Sequence, residues 1–129
     1  MPTHRILTTY DIGDGSPKSI QTLKTAEAET NLDVAIASDA DGYLVNCAID
    51  TDQVKAVLLY SDVDLLLYVN ADEDETQIAL TGGVPKLWYV GGAGSNPIVE
   101  DVTAFYVDNT SDPATAGTLN IRVLQDPTP

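Results

Sequence analysis

Apolar and polar side chains alternate along most of the chain in short runs, and the densest apolar stretch extends from Gln53 to Asn70. It contains two runs of strand length, separated by a polar step at Ser61–Asp64. β-Branched and aromatic residues are frequent in both runs, as is typical of strands. Since alternate residues of a strand point to opposite faces, both faces of each strand would be apolar. The pattern predicts strands covered on both sides, by a sandwich interior and by a folded-over loop or a neighbouring subunit.

Within the first of these runs, alternation assigns each side chain to a face. One face would carry Val54, Ala56, Leu58 and Tyr60, and the other Lys55, Val57 and Leu59. The same alternation predicts strands elsewhere, at 3–10, 18–25, 31–37, 43–49, 76–80, 87–90, 102–108 and 118–124. A short helical turn is predicted at 25–30. Eight to ten short strands separated by turn residues predict an all-β fold, a single antiparallel β-sandwich that is jelly-roll-like.

The chain has the length of one domain, 129 residues, and an ordinary hydrophobic fraction of 43%. Residues 125–129 form a proline-containing tail, which cannot easily join a strand ladder because proline lacks the N–H donor. A single cysteine excludes an intrachain disulfide. Neither a signal-peptide pattern nor a membrane-length apolar run is present, so a soluble protein made in a cytoplasm is expected.

Charge narrows the classes of partner. The chain has 20 acidic residues against 6 Lys and Arg, a formal net charge of -14. Nucleic-acid binding needs clustered basic side chains, and anionic membranes attract them as well, so neither partner is expected. An acidic surface suits a protein that stays soluble until it meets a basic partner.

The residues offer little for catalysis. The only histidine, His4, lies near the chain end, and Cys47 falls on an apolar strand face where a thiol usually packs as a small hydrophobe. Paired carboxylates are so frequent in this acidic chain that their adjacency carries no information. We therefore expect neither an enzyme nor a cofactor.

A calcium site is the sharper chemical hypothesis. Its candidate ligands are Asp39, Asp41, Asp50 and Asp52, which supply hard oxygen atoms near two turns. Residues 72–75 form a second acidic cluster. The spacing of an EF-hand loop is absent, and acidic loops of the same composition occur without any ion.

Aromatic and leucine side chains of the apolar strands are candidates for contacts with other chains. The predicted oligomer or capsid interface comprises Leu58, Tyr60, Leu66, Tyr68, Trp88 and Tyr89. An apolar surplus on a sandwich usually marks association, and a modest cyclic homo-oligomer is the natural result. Alternatively, Trp88 and Tyr89 would form a carbohydrate-stacking platform, although aromatic residues on sandwich strands more often lie in a core or a subunit interface.

The C-terminal part of the chain carries a family resemblance. Val99–Thr110 and Gly117–Pro129, together with the texture of residues 76–89, resemble small virion proteins of tailed bacteriophages. The resemblance covers about Val54 to Pro129 and is one of strand and turn pattern. It contains no catalytic signature, so no functional residue is carried over.

The resemblance implies a head-decoration, cement or auxiliary capsid protein, commonly trimeric. Its partners would be further copies of itself and the major capsid protein, on the capsid surface of a virion assembled in the host cytoplasm. By the same analogy, residues 1–10 would be an N-terminal arm that reaches onto the shell or a neighbour. The alternatives are a tail protein or another virion component, and a carbohydrate- or receptor-binding sandwich.

Overall fold

The computed structural model describes residues 2–10, 18–26 and 28–126, which form ten strands and one short 3₁₀ turn. The strands are β1 (Thr3–Tyr10), β2 (Lys18–Thr25), β3 (Ala28–Ile36), β4 (Tyr43–Ile49), β5 (Val54–Ser61), β6 (Leu65–Val69), β7 (Gln77–Leu80), β8 (Lys86–Tyr89), β9 (Val102–Asn109) and β10 (Gly117–Gln125). The 3₁₀ turn, Thr51–Gln53, connects β4 to β5. The predicted all-β fold is confirmed.

Eight of the strands form two four-stranded sheets. Sheet I has the order β3-β10-β5-β8 and sheet II the order β4-β9-β6-β7, with antiparallel neighbours throughout. The pairing is nested, because β3 pairs with β10, β4 with β9, β5 with β8 and β6 with β7. A long antiparallel ribbon wound in this way into two packed sheets is a jelly roll. The predicted sandwich architecture is therefore confirmed.

The main core lies between the two sheets. Its most deeply buried side chains include Leu59 and Ile121 from sheet I and Leu67, Phe105 and Val107 from sheet II, all of them 0% exposed. Full burial of one such side chain is worth about 1.5–3 kcal/mol. Burial alternates along β4, β6 and β7, as expected where one face of a strand meets a core.

The Gln53–Asn70 stretch is divided between the sheets, β5 lying in sheet I and β6 in sheet II. The predicted placement of Val54 with Ala56 is wrong. The pairing of β5 with β10 shifts register between these two residues, so Lys55 occupies an extra position and Val54 turns into the main core. A bulge of this kind reverses the alternation on one side of it.

Two predicted boundaries also differ. The helical turn at 25–30 is wrong, since β3 begins at Ala28 and pairs with the end of β10 at Gln125; Glu27 lies outside the described residues. Gln125, predicted as tail, belongs to β10, and the N–H of Asp126 donates to the Gln53 carbonyl at 2.9 Å. Residues 127–129 lie outside the described part of the chain.

The N-terminal hairpin, formed by β1 and β2, is a separate two-stranded sheet. Residues 3–10, predicted as an arm, therefore pair with 18–25, and Met1 lies outside the described residues. Ile6 and Ala26 pack against Ala56 and Leu124 in a second, small apolar cluster. Since Ala56 and Leu124 point away from the main core, the hairpin covers part of the outer face of sheet I.

Candidate interaction surfaces

A groove of about 670 Å³ lies between β1 and the outer face of sheet I. Its apolar lining includes Ile6, Leu58 and Leu87. Leu58 and Leu87 are directly opposite each other on β5 and β8, and Leu87 remains 42% exposed. The hairpin thus covers only part of this apolar surface.

Polar contacts connect the hairpin to the edge strands of sheet I. The His4 ring nitrogen Nε2 lies 3.1 Å from Glu29 Oε2, and this hydrogen bond lowers the pKa of the Glu29 carboxyl. The Lys24 ammonium lies 5.7 Å from the centre of the Tyr89 ring, within cation–π range. Tyr89 in turn packs against the small apolar cluster.

Arg122 lies on the outer face of sheet I and lines the same groove. Its Nη2 donates to Asp33 Oδ1 at 2.7 Å, and its Nη1 donates to the Leu32 carbonyl at 3.0 Å. Hydrogen bonds from the Asn120 amide and from Arg122 lower the pKa of the Asp33 carboxyl. The guanidinium is therefore already engaged by its own sheet.

The outer side of the hairpin is apolar and basic. Leu7 is 63% exposed and Leu23 is 59% exposed. Arg5 is directly opposite Leu23 in the ladder, so the cation and the leucine share this side. Exposed leucines beside a cation are typical of a surface that contacts another protein.

The outer face of sheet II carries an apolar row that crosses three strands. Tyr106 is directly opposite Leu44 on β4 and opposite Tyr68 on β6, and Leu66 lies on the same side of β6. Leu44 is 49% exposed, while the other three side chains are half-buried. We call this set, Leu44, Leu66, Tyr68 and Tyr106, the sheet II row.

Several carboxylates lie near Tyr68, one member of the sheet II row. The pKa of Tyr68 is raised, first by partial removal of its hydroxyl from water and then by the charges of Asp108, Glu73, Asp72 and Asp41. These residues come from β9, from the loop after β6 and from the turn before β4. The fold therefore assembles a negative rim from three places in the sequence.

This rim is held in position by the backbone around Gly42. The Gly42 N–H donates to Asp108 Oδ1 at 2.7 Å. The φ of +68° at Gly42 favours glycine, and the Asp72 carboxylate lies against this residue, 2.5 Å from where a Cβ would be. The loop that carries Asp72 begins at Asn70, whose Oδ1 accepts the Thr103 N–H at 2.7 Å.

The basic residues all belong to the strands of the hairpin and of sheet I. All six Lys and Arg residues, and His4, lie on β1, β2, β5, β8 or β10. The strands of sheet II carry no basic residue, and Asp108 is their one charged side chain. The two sides of the molecule consequently differ in electrostatic character.

The structure distributes the predicted interface residues over three environments. Leu58, Tyr60 and Tyr89 lie on the outer face of sheet I, and Leu66 and Tyr68 on the outer face of sheet II. Trp88 points inward and packs against the main core. Because Trp88 and Tyr89 are adjacent in β8, they face opposite sides of the sheet and do not form one stacking platform.

The four aspartates predicted as calcium ligands are not brought together. Asp39 and Asp41 precede β4, whereas Asp50 and Asp52 follow it, and this seven-residue strand separates the pairs by about 20 Å. Asp50 Oδ1 instead accepts the Asp52 N–H at 3.1 Å in the 3₁₀ turn. Within 2–10, 18–26 and 28–126, no three His, Cys, Asp or Glu side chains are grouped to hold a metal ion.

His4 and Cys47 lie on opposite sides of sheet I. His4 is on the hairpin, outside the sandwich, and Cys47 points from β4 into the main core with 4% exposure. Burial raises the pKa of the Cys47 thiol to about 11. The structure thus places this thiol as core packing and does not pair it with the histidine.

Comparison of the chain with protein-family models, with curated proteins and with solved structures found no match. In the described part of the chain, no helix is long and apolar enough to span a membrane. A proposal for function therefore depends on the two outer faces of the sandwich and on their charges.

Proposed function

We propose that this chain is a structural protein of a bacteriophage particle, which decorates or stabilises the capsid as a small homo-oligomer, with a trimer favoured. The observation that carries the proposal is that apolar side chains are exposed on both outer sides of the sandwich. Leu7 and Leu23 lie on the hairpin, and Leu44 lies on sheet II. Large exposed apolar patches usually mark sites of association.

The fold and the resemblance supply further support. Jelly rolls are a recurrent architecture of viral capsid domains, and also of lectins, so this argument is one of fold-level analogy. The strand and turn pattern of Val54–Pro129 resembles small phage virion proteins. A decorating protein also needs no catalytic centre, because many weak contacts made by an oligomer are enough to hold it on a shell.

Binding to shells is the direct test. Purified protein is mixed with shells assembled from the major capsid protein of the same phage and then sedimented. We expect saturable co-sedimentation, with electron microscopy placing the protein on the outer capsid surface. Protein that stays in the supernatant with both unexpanded and expanded shells, or that decorates only a tail, overturns the proposal.

The oligomer has its own measurement, light scattering coupled to size exclusion. The Leu7→Asp variant is expected to shift the oligomer to monomer, because it places a charge in the exposed apolar side of the hairpin. Val99→Asp is the matched control, since Val99 is 71% exposed and lies in a loop. A wild-type monomer, or equal effects of the two variants, would contradict association through the hairpin.

A further inference from the structure

The outer faces of the two sheets differ in what packs across them. On sheet I, β2 contacts β5 and the hairpin forms an apolar cluster with Ala56 and Leu124. No strand of the described residues makes a comparable contact with the outer side of sheet II. The sheet II row is therefore an apolar, aromatic surface with Leu44 half exposed at its margin.

We propose that the sheet II row is the docking site for a basic segment of the shell protein, whose Lys or Arg side chains lie over Tyr68 and Tyr106. This inference rests on the proposed function and deepens it, because it names the surface that faces the shell and the chemistry of its partner. The hairpin side is then left for contacts between copies.

The choice of a basic partner follows from charge complementarity. The Gly42 N–H donates to Asp108 Oδ1 at 2.7 Å, the Asp72 carboxylate lies against Gly42, and Asp41 is the preceding residue. No Lys, Arg or His belongs to the strands of sheet II. A Lys or Arg stem can cover Leu44 while its charged end reaches the rim. An Arg guanidinium can also stack on a tyrosine ring, a contact that neutral or acidic segments cannot make.

A second copy of this chain fits the same surface poorly. A two-fold contact between two sheet II faces would place like charges opposite each other, which costs several kcal/mol at an interface. The hairpin of a second copy carries cations, but it lies on the opposite side of the sandwich. Heterologous contacts close into a ring only when their rotation closes, and contacts between faces on opposite sides of the molecule extend instead into an open stack.

The experiment compares three variants in two binding measurements. Asp41→Lys and Leu44→Asp change exposed positions at the proposed site, and Asp52→Lys is the control because Asp52 is exposed at the far end of β4. Asp41→Lys and Asp52→Lys change the net charge equally, so general electrostatic attraction is matched. The first measurement is co-sedimentation with shells. The second is fluorescence anisotropy with a labelled peptide of alternating Arg and Leu, against a peptide with Glu in place of Arg.

We expect Asp41→Lys and Leu44→Asp each to weaken shell and Arg-peptide binding about tenfold or more, which is the scale of losing one close charge pair. Asp52→Lys should stay within about threefold of wild type, since its charge lies beyond the screening length of the site. Circular dichroism is expected to be unchanged in all three variants, because each altered side chain is exposed.

The outcomes separate this inference from the proposed function. If wild type and all variants bind shells equally, the docking site is wrong and the decoration proposal stands. If wild type does not bind shells, the proposed function fails, and binding of the Arg peptide then tests the docking site by itself. Loss of peptide binding confined to Asp41→Lys and Leu44→Asp supports a basic partner. Equal peptide binding by wild type and all variants overturns the docking site. Self-association abolished by Leu44→Asp, without peptide binding, would overturn it in favour of a second copy.

Discussion

The two outer faces of this sandwich differ in how their apolar side chains are shielded from water. Both carry apolar side chains that the core between the sheets does not bury. On sheet I, the chain covers part of that surface itself, as Ile6 and Ala26 of the hairpin segment seal Ala56 and Leu124. On sheet II, Leu44 is 49% exposed and Tyr68 and Tyr106 are half-buried, with carboxylates near Tyr68.

The chain thus covers apolar side chains on one outer face of the sandwich more fully than on the other. Covering an apolar face with a hairpin removes it from water at the entropic cost of ordering two strands. The basic residues belong to the strands of the hairpin and of sheet I, whereas the strands of sheet II carry only one charged residue, the acidic Asp108. A partly exposed apolar face with charges of one sign beside it is complementary to a partner of the opposite charge.

The largest expected effect compares one leucine from each face. Leu124 is 0% exposed beneath the hairpin, so Leu124→Ala should lower the free energy of unfolding by about 2–5 kcal/mol. Leu44 is 49% exposed, and Leu44→Ala should change it by no more than about 0.5 kcal/mol. Urea unfolding followed by tryptophan fluorescence measures both. Equal losses would show that the two faces are not differently covered.

A second comparison uses two glycines with positive φ. A Cβ on residue 83 would have no other atom within 4 Å, so Gly83→Ala should cost only the left-handed backbone penalty, about 1–2 kcal/mol. Gly42→Ala should cost about the same, because its Cβ would meet only the end of the exposed Asp72 side chain, which can rotate away. Chemical unfolding gives the stabilities, and the Arg peptide reports whether the rim of sheet II is displaced. A Gly42→Ala protein clearly less stable than Gly83→Ala would mean that the Asp72 carboxylate is held rigidly against residue 42.

Much of the fold could be predicted from the sequence because strand alternation is a local signal. The alternating burial of Val45, Cys47 and Ile49 along β4 follows directly from the residues. The inward position of Val54 does not, since it depends on a bulge created by pairing with β10. The helical turn predicted at 25–30 failed for the same reason, because the extended partner strand β10 is distant in sequence.

The candidate site was less predictable, because it is made by residues distant in sequence. Leu66 and Tyr68 were predicted to be at an interface, but Leu44 and Tyr106 join them only through the ladder of β4, β9 and β6. Asp41 was predicted to share an ion with Asp50, whereas the fold places it with Asp72 and Asp108 around Tyr68. The local signals available were the two apolar faces of β6 and the position of Leu44 on the face of β4 opposite the core residues Val45 and Cys47.

Lowering the pH should destabilise the hairpin on the outer face of sheet I before it destabilises the sandwich. The pKa of Glu29 is lowered by its hydrogen bond to His4, so this contact contributes stability above the ordinary value of 4.5 and loses it as pH falls through the lower folded value. The protection factors of the β1 amides, which are corrected for the intrinsic pH dependence of exchange, should fall over that range before those of the sandwich do. Glu29→Gln should remove this acid-dependent loss of protection in β1. Protection factors of β1 that do not change with pH in the wild type would contradict the tether.

The smallest effect belongs to the open face and appears in alkali. Since the pKa of Tyr68 is raised above its ordinary value of 10.0, the folded protein retains this proton longer than the unfolded chain, and stability falls as pH rises above that value. Subtracting the ultraviolet titration of Tyr68→Phe from that of wild type isolates this phenol. Asp41→Lys should lower the pKa of Tyr68, because it replaces a repelling charge with an attracting one, and Asp52→Lys should leave it nearly unchanged. Binding of the Arg peptide should lower the pKa of Tyr68 as well. If neither Asp41→Lys nor the peptide changes this pKa, Tyr68 does not interact with the carboxylates or with a basic partner.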